Sequence, residues 1–220
     1  TYPIEGFRYY LKYRTSPGIN EKSLTFHSAT MDGRKYFRLF NGVSLAGRFF
    51  AGTNWGSDSQ KFRLGGVPWL FSSNKERFYG GENQDLSLEE LYFSEYVMPI
   101  RGIQRSNKLG VNVFLANIEF RLPFLIYYFP AIKYLGQING VIFTDIGVAW
   151  DNKYPKFWDE SSWDEPDRED PDLEHPDYTG WVMSYGFGPR FIFLGFPWQL
   201  DFAWQFNPYD GTISDWNWYL

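Results

Sequence analysis

The chain contains no cysteine and only two histidines among its 220 residues. Disulfide bonds and thiolate metal sites are therefore excluded. The two histidines, His27 and His175, are far apart in the sequence and belong to no recognisable catalytic set. No apolar run approaches the roughly eighteen residues that a membrane-spanning helix needs. The first residues show no charged segment followed by an apolar one, so we expect no signal peptide in this sequence.

Basic residues are not in excess. Lysine and arginine number 21 against 26 aspartates and glutamates, which gives a formal net charge of −5. An extended nucleic-acid surface needs clustered positive charge, so we expect no nucleic-acid partner. The glycine-containing segment "FRLGGVP" (62–68) lacks the lysine and the following helix of a phosphate-binding loop. We therefore predict no cofactor.

Aromatic residues are abundant. They make up 22% of the chain, although the mean hydropathy is only −0.41. This combination indicates strands with one apolar and one polar face. Soluble β-sandwiches and transmembrane β-barrels both alternate in this way, but belts of tryptophan and tyrosine favour the barrel.

Alternation with a period of two dominates the sequence. In "WQLDFAWQF" (198–206), Leu200, Phe202, Trp204 and Phe206 alternate with polar or small residues. The segments "FRYYLKYR" (7–14), "NVFLANIEFRLPF" (112–124), "NGVIFTDIGVAWD" (139–151) and "MSYGFGPRFIF" (183–193) follow the same rule. Together with segments near 22–39 and 43–52 and one that starts near 214, they predict about eight strands.

The connections between these strands differ in length. Short turns near 124–135 and 194–197 alternate with long segments at 56–110 and 151–179. Short turns at one end and long polar loops at the other are typical of outer-membrane barrels. We therefore predict an all-β fold, an antiparallel transmembrane β-barrel whose polar faces line a wet lumen. The acidic, proline-rich segment 151–179 is predicted to be an extracellular loop, and its spacing predicts no metal site.

Asp145 lies in the middle of the apolar stretch "VIFTDIG" (141–147), where an unpaired buried carboxylate would be costly. It could serve as a catalytic acid, a metal ligand or a structural anchor. Alternation places it on the polar face of its strand. Glu119 lies on the polar face of another strand, and two carboxylates of this kind are what a glycosidase uses. A soluble carbohydrate-active β-protein is therefore one alternative.

Several segments, in order, resemble the carboxy-terminal barrel of the Omp85 superfamily (bacterial surface antigen D15). They are "MDGRKYFRLFNGVSLAGRFFAGTNWG" (31–56), "KFRLGG" (61–66) with "IRGI" (100–103), "NIEFRLPF" (117–124) and "VIFTDIG" (141–147). The segment "GFGPRFIFLGFPWQLDFAWQF" (186–206) is similar to the family's penultimate hairpin. About 34 residues (67–100) separate the Gly-Gly and Arg-Gly elements, and a second "FYGG" (78–81) is an alternative counterpart of the first.

The resemblance implies a site inside the barrel. In the family, the long loop folds back into the lumen, and the arginine of its Arg-Gly motif contacts an inward phenylalanine and aspartate. Here Arg101 would reach Phe143 and Asp145, while a glycine two residues further on would leave room for the loop. Glu119 and Arg121 would extend this arrangement or pair only with each other. The predicted lumen-brace network comprises Arg101, Gly102, Ile103, Glu119, Arg121, Phe143, Asp145 and Gly147.

The resemblance also implies a function and a location. The family's barrel has sixteen strands, so residues 1–220 would be one barrel domain or its carboxy-terminal half. A non-enzymatic protein that assembles or translocates proteins at the outer membrane of bacteria or organelles is expected. Its partners would be outer-membrane lipid and either other envelope proteins or an amino-terminal part of the same protein. The alternative within this family is a non-translocating barrel that acts as a membrane anchor or structural subunit.

Overall fold

The computed structural model describes residues 3–19, 23–40, 42–67, 94–103, 107–123, 138–164, 179–193 and 196–219. Within these ranges the secondary structure is almost entirely β. The strands are β1 (Gly6–Pro17), β2 (Thr25–Phe40), β3 (Val43–Trp55), β4 (Phe62–Leu64), β5 (Glu95–Val97), β6 (Lys108–Gly110), β7 (Asn112–Leu122), β8 (Asn139–Trp150), β9 (Gly180–Phe193), β10 (Phe196–Gln199), β11 (Asp201–Gln205) and β12 (Asn217–Tyr219).

Nine of these strands form one antiparallel sheet. Its order is β1-β2-β3-β7-β8-β9-β11-β12, and β10 also pairs with β9. Only Leu200 separates β10 from β11, so both continue one line of chain beside β9. The sheet therefore has eight strand positions, and the predicted all-β antiparallel fold of about eight strands is confirmed. Among the described residues, β1 and β12 are its edges, and no pairing joins them.

The two faces of this sheet differ as the alternation predicts. On β8, Val141, Phe143 and Asp145 are buried, whereas the side chain of Ile142 is 54% exposed. On β9, Ser184 is buried and its neighbour Tyr185 is exposed. We call the face that carries Asp145 the inner face and the opposite one the outer face. The outer face has the exposed apolar and aromatic side chains that a lipid-facing surface requires.

The long segment 56–110 contains secondary structure that its sequence did not reveal. Strands β4, β5 and β6 form a separate three-stranded sheet in which β4 is central. Phe62 and Leu64 of β4 and Val97 of β5 are fully or almost fully buried against inner-face residues such as Leu115 and Ala149. The described parts of this segment therefore pack on the inner face through an apolar core.

One outer-face residue departs from the simple pattern. Val148 is only 1% exposed because the segment after β8 folds back over it and packs Trp163 against Trp181. The two indole N–H groups donate to the carbonyl oxygens of Phe157 and Pro155, at 2.8 and 2.9 Å. This segment includes a short 3-10 helix, Glu160–Ser162.

Some sequence predictions concern residues outside the described ranges. These are the whole turn near 124–135, the "FYGG" element (78–81), His175, and residues 165–178 of the predicted acidic loop. In the part of the chain that the structure describes, no helix has the length and apolar character to cross a membrane.

Candidate functional site

The best-defined polar site lies where the long loop meets the inner face. Arg101, which follows β5, is 3% exposed, and Asp145 in the middle of β8 is 0% exposed. The Nε atom of Arg101 donates to Oδ2 of Asp145 at 2.8 Å, and Nη2 donates to Oδ1 at 2.7 Å. The backbone N–H of Arg101 also donates to Oδ2, at 3.0 Å. One carboxylate thus holds both the side chain and the main chain of the loop, with the two-point geometry that strengthens such pairs.

Asn117 completes the coordination of this carboxylate. It lies opposite Asp145 in the β7–β8 register, and its Nδ2 donates to Oδ1 of Asp145 at 2.8 Å. The same amide nitrogen donates to the carbonyl oxygen of Pro99 in the loop at 2.9 Å. Burial of Asp145 is tolerable because every strong interaction that it loses with water is replaced by a charged or polar donor.

The aromatic ring of Phe143 packs against the guanidinium of Arg101. The Cζ atom of Arg101 lies 3.5 Å from the centroid of the Phe143 ring, a cation–π contact in a water-poor environment. Phe143 and Asp145 are two residues apart on β8, and so they lie on the same face of the strand. The alternation of one strand thereby positions both the ring and the carboxylate for a single arginine.

Glu119 links two arginines rather than one. Its Oε1 accepts from Nη1 of Arg101 at 2.9 Å, and its Oε2 accepts from Nη2 of Arg121 at 2.8 Å. Register explains this position, because Glu119 is opposite Phe143 across the β7–β8 pair. The structure therefore brings Glu119 and Arg121 into contact with the Arg101 group.

A further ion pair adjoins this group. Nη1 of Arg190 lies 2.6 Å from Oδ1 of Asp201, and Oδ2 of Asp201 lies 3.9 Å from Nη1 of Arg101. The side chains of Arg190 and Asp201 are almost fully buried. Alternation alone places Asp201 and Arg190 on the inner face, but only the register of β9 and its neighbours brings them together.

The family model described as the Omp85 superfamily domain matches residues 1–220, the full length of the chain. The chain belongs to the Omp85 superfamily. This family comprises β-barrels of the outer membrane of bacteria or organelles, so the predicted fold class and localisation are confirmed. In general the family assembles or translocates proteins in membranes. A comparison with curated proteins found no match.

The charges of this Omp85 site balance. Three guanidinium groups, Arg101, Arg121 and Arg190, are connected to three carboxylates. The carboxylates are Glu119, Asp145 and Asp201. Burial would lower the pKa of Arg101, but the attraction of its carboxylate neighbours, Asp145 first, raises that pKa above its ordinary value. Arg101 therefore remains charged and holds its partners electrostatically.

The residues after Arg101 fit closely against the wall. Gly102 adopts a positive φ of 83°, and Ile103 is buried in the apolar core with β4 and β5. A Cβ atom at Gly147 would lie 2.7 Å from Cδ1 of Ile100 and 2.9 Å from Cδ2 of Leu64. A side chain at Gly147 would therefore force the side chains of Ile100 and Leu64 to shift.

Sequence reasoning missed a second set of contacts. They hold residues 94–98, at the start of the described part of the loop that leads back to Arg101 (94–103, the returning limb; residues 61–67 are the outgoing limb). Nη1 of Arg48 donates to the carbonyl oxygen of Met98 at 2.6 Å, and Nη2 of Arg48 pairs with Asp32 at 2.8 Å. Arg14 of β1 forms an ion pair with Glu95 of β5. Alternation could have placed Arg14 and Arg48 on the inner face, but no motif pointed to their partners.

The site offers little to a reaction. Asp145 is inaccessible, and both Asp145 and Glu119 are bound to Arg101. A glycosidase needs two carboxylates that a sugar can reach, so this geometry gives the carbohydrate-active alternative no support. Within the described residues, no group of three or more histidine, aspartate or glutamate side chains is placed to hold a metal ion. The arrangement is suited to holding a loop in place.

Proposed function

We propose that this chain is the barrel of an outer-membrane protein that assembles or translocates other proteins, and that Arg101 braces its long loop inside the lumen. The observation that carries the proposal is the two-point contact of Arg101 with Asp145 in an Omp85 domain. This contact supports a mechanical role, because it fixes the loop to the wall and leaves both charges occupied. No catalytic step is part of this function.

The domain arrangement that accompanies this proposal follows the earlier expectations. Residues 1–220 form one barrel domain or the carboxy-terminal part of one, residues 56–110 enter the lumen, and residues 151–179 form an extracellular loop. Support comes from Phe62 and Ile100, which are fully buried on the inner face. The contacts of Arg101 with Glu119 and Asp145 also join the loop to two adjacent strands.

The proposed substrate is an unfolded polypeptide with strand-forming segments. A sheet edge presents unpaired N–H and C=O groups, and an incoming strand can pair with them. Two edges exist in the described sheet, β1 and β12. A loop that is firmly seated on the inner face would keep the wall in shape while such pairing takes place.

Depletion of the protein tests this function most directly. With the gene under a regulated promoter, we expect depletion to lower the amount of other folded outer-membrane proteins, measured by their heat-modifiable migration in gels. Surface-exposed or secreted cargo should fall in parallel. Complementation with Arg101→Ala should restore these proteins less well than the wild type. The matched control is Arg38→Ala, since the side chain of Arg38 is 57% exposed and its ion pair with Glu5 contributes little.

The alternative, a barrel that only anchors or supports a larger complex, is an outcome of the same experiment. If depletion leaves the amounts of other outer-membrane and secreted proteins unchanged while a bound partner is lost from the membrane, the assembly and translocation proposal is wrong. Loss of Arg101 would then reduce only the amount of this protein and its partner.

A further inference from the structure

Tyr219 is buried although it lies on the outermost strand of the sheet. Its side chain is 3% exposed, and β12 is the edge strand. The hydroxyl oxygen of Tyr219 accepts a hydrogen bond from the backbone N–H of Gly102, at 3.1 Å. Gly102 follows Arg101, so the tip of the long loop directly contacts an edge strand that is 117 residues away in the sequence.

Backbone pairing joins β12 to β11. Within the described residues, three pairs connect them, from Asp201 opposite Tyr219 to Ala203 opposite Asn217. The other edge strand, β1, pairs with β2 over twelve positions. Cross-strand and side-chain contacts add to the backbone pairing in holding a strand in its sheet.

The ring of Tyr219 packs in a buried cluster that contains residues of the long loop and of the wall. The other members of this cluster are Val67, Val141, Phe143 and Ala203. Val67 follows β4 on the outgoing limb, and the Gly102 N–H comes from the returning limb. Phe143 is the ring beneath the Arg101 guanidinium. Tyr219 thus contacts the same structure that the Arg101 site holds in place.

Glycine at position 102 permits this approach. A Cβ atom there would lie 3.1 Å from Cβ of Ala203 and 3.2 Å from the backbone carbon of Trp204, and φ is already +83°. Most other residues would be strained in this conformation and would push the loop away from β11. The short distance between the loop and β11 therefore depends on glycine at position 102 and on the small side chain of Ala203.

We propose that Tyr219 is a positioning residue that couples the seating of the loop tip to the pairing of the edge strand β12. Release of the loop would loosen β12, and release of β12 would remove an acceptor from the loop. Such coupling is reciprocal by thermodynamic necessity. The same loop limb also reaches the opposite edge, where Glu95 forms an ion pair with Arg14 of β1. The proposal does not depend on what the protein assembles or translocates.

Amide hydrogen exchange of the protein in lipid nanodiscs tests the coupling from the strand side. Tyr219→Phe removes the hydroxyl and keeps the ring. We expect the amides of residues 100–103 and of β12 to exchange about two- to ten-fold faster, as the loss of one net hydrogen bond implies. Amides in the centre of β7 and β8 should not change. Tyr185→Phe is the matched control, because that ring stacks on Trp204 at the outer face.

A reciprocal variant tests the coupling from the loop side. Gly102→Ala leaves Tyr219 intact but should lift the loop tip, so exchange in β12 should rise. Gly211→Ala is its control, since Gly211 also has a positive φ, +74°, but a Cβ atom there would contact nothing within 4 Å.

Either of two results would overturn the proposal. In the first, Tyr219→Phe changes exchange in β12 but leaves residues 100–103 as protected as in the wild type. In the second, Gly102→Ala opens the loop tip and leaves β12 unchanged. If Tyr219→Phe does not yield a folded, heat-modifiable protein, the Gly102→Ala result decides alone. These outcomes are read from exchange alone, so they are separate from the depletion experiment.

Discussion

Replacement of Arg101 by methionine should leave the buried charge of Asp145 without its ion-pair partner. Glu119 would keep Arg121 and Asp201 would keep Arg190, at 2.8 and 2.6 Å respectively. Asp145 would keep only the amide of Asn117 and the backbone N–H of residue 101. Removal of one partner from a buried ion pair costs about 3–5 kcal/mol, because the other charge remains buried. The loop should therefore open roughly 10²- to 10⁴-fold more often.

A second substitution tests whether the unpaired charge of Asp145 causes the destabilisation. Asp145→Asn in the Arg101→Met background removes the buried charge and keeps an oxygen that can accept from Asn117. We expect the double variant to be more stable than Arg101→Met alone, by about 1–3 kcal/mol. Asp145→Asn alone should cost less than Arg101→Met, because Arg101 retains Glu119 at 2.9 Å.

Amide exchange of residues 100–103 measures the opening of the loop, and limited proteolysis of the same segment provides an independent readout. Heat-modifiable migration reports whether the sheet itself remains folded. The four proteins form a double-mutant cycle, from which the coupling between the two side chains is obtained directly. If the double variant is destabilised by the sum of the single effects or more, the unpaired charge of Asp145 is not the cause of the destabilisation.

Three other substitutions have defined expectations. Gly147→Val should overpack the contact with Ile100 and lower the stability of the loop contact by about 1–3 kcal/mol. Amide hydrogen exchange in β4 and β5 should then be faster, and unchanged exchange would contradict the close fit. Arg48→Ala removes the hydrogen bond to the loop carbonyl and should increase protease cleavage within 94–103. Trp163→Ala should cost about 3–5 kcal/mol and expose the segment 151–164 to proteolysis, whereas Trp158→Ala, at a ring that is 84% exposed, should have little effect.

The strand pattern was readable from the sequence because alternation is a local property. Leu115 and Asp145 lie on the inner face for the same reason that Ile142 is exposed, namely the two-residue period of a strand. Val148 shows the limit of this reasoning. Its position in the period is outward, but a later segment covers it, and no local pattern reports a contact with a distant part of the chain.

The polar site was only partly readable. Alternation showed that Asp145 needs a partner, but Arg101 is 44 residues away, and only the family resemblance suggested it. The pair Arg190 and Asp201 depends on strand register, which the sequence does not state directly. Tyr219 carried no motif at all. The three-residue strands β4 to β6 were missed because so short a segment cannot display a period.

The small sheet within the long loop has a consequence for how this family can vary. Strand β4 pairs with both β5 and β6, so the outgoing and returning limbs are fastened to each other as well as to the wall. Residues 68–93 connect two ends whose positions are already fixed. The entropic cost of lengthening such a connection grows only logarithmically, about 0.6 kcal/mol for each doubling of its length. Insertions and deletions should therefore accumulate between β4 and β5 in related chains, while residues 61–67 and 94–103 keep their length.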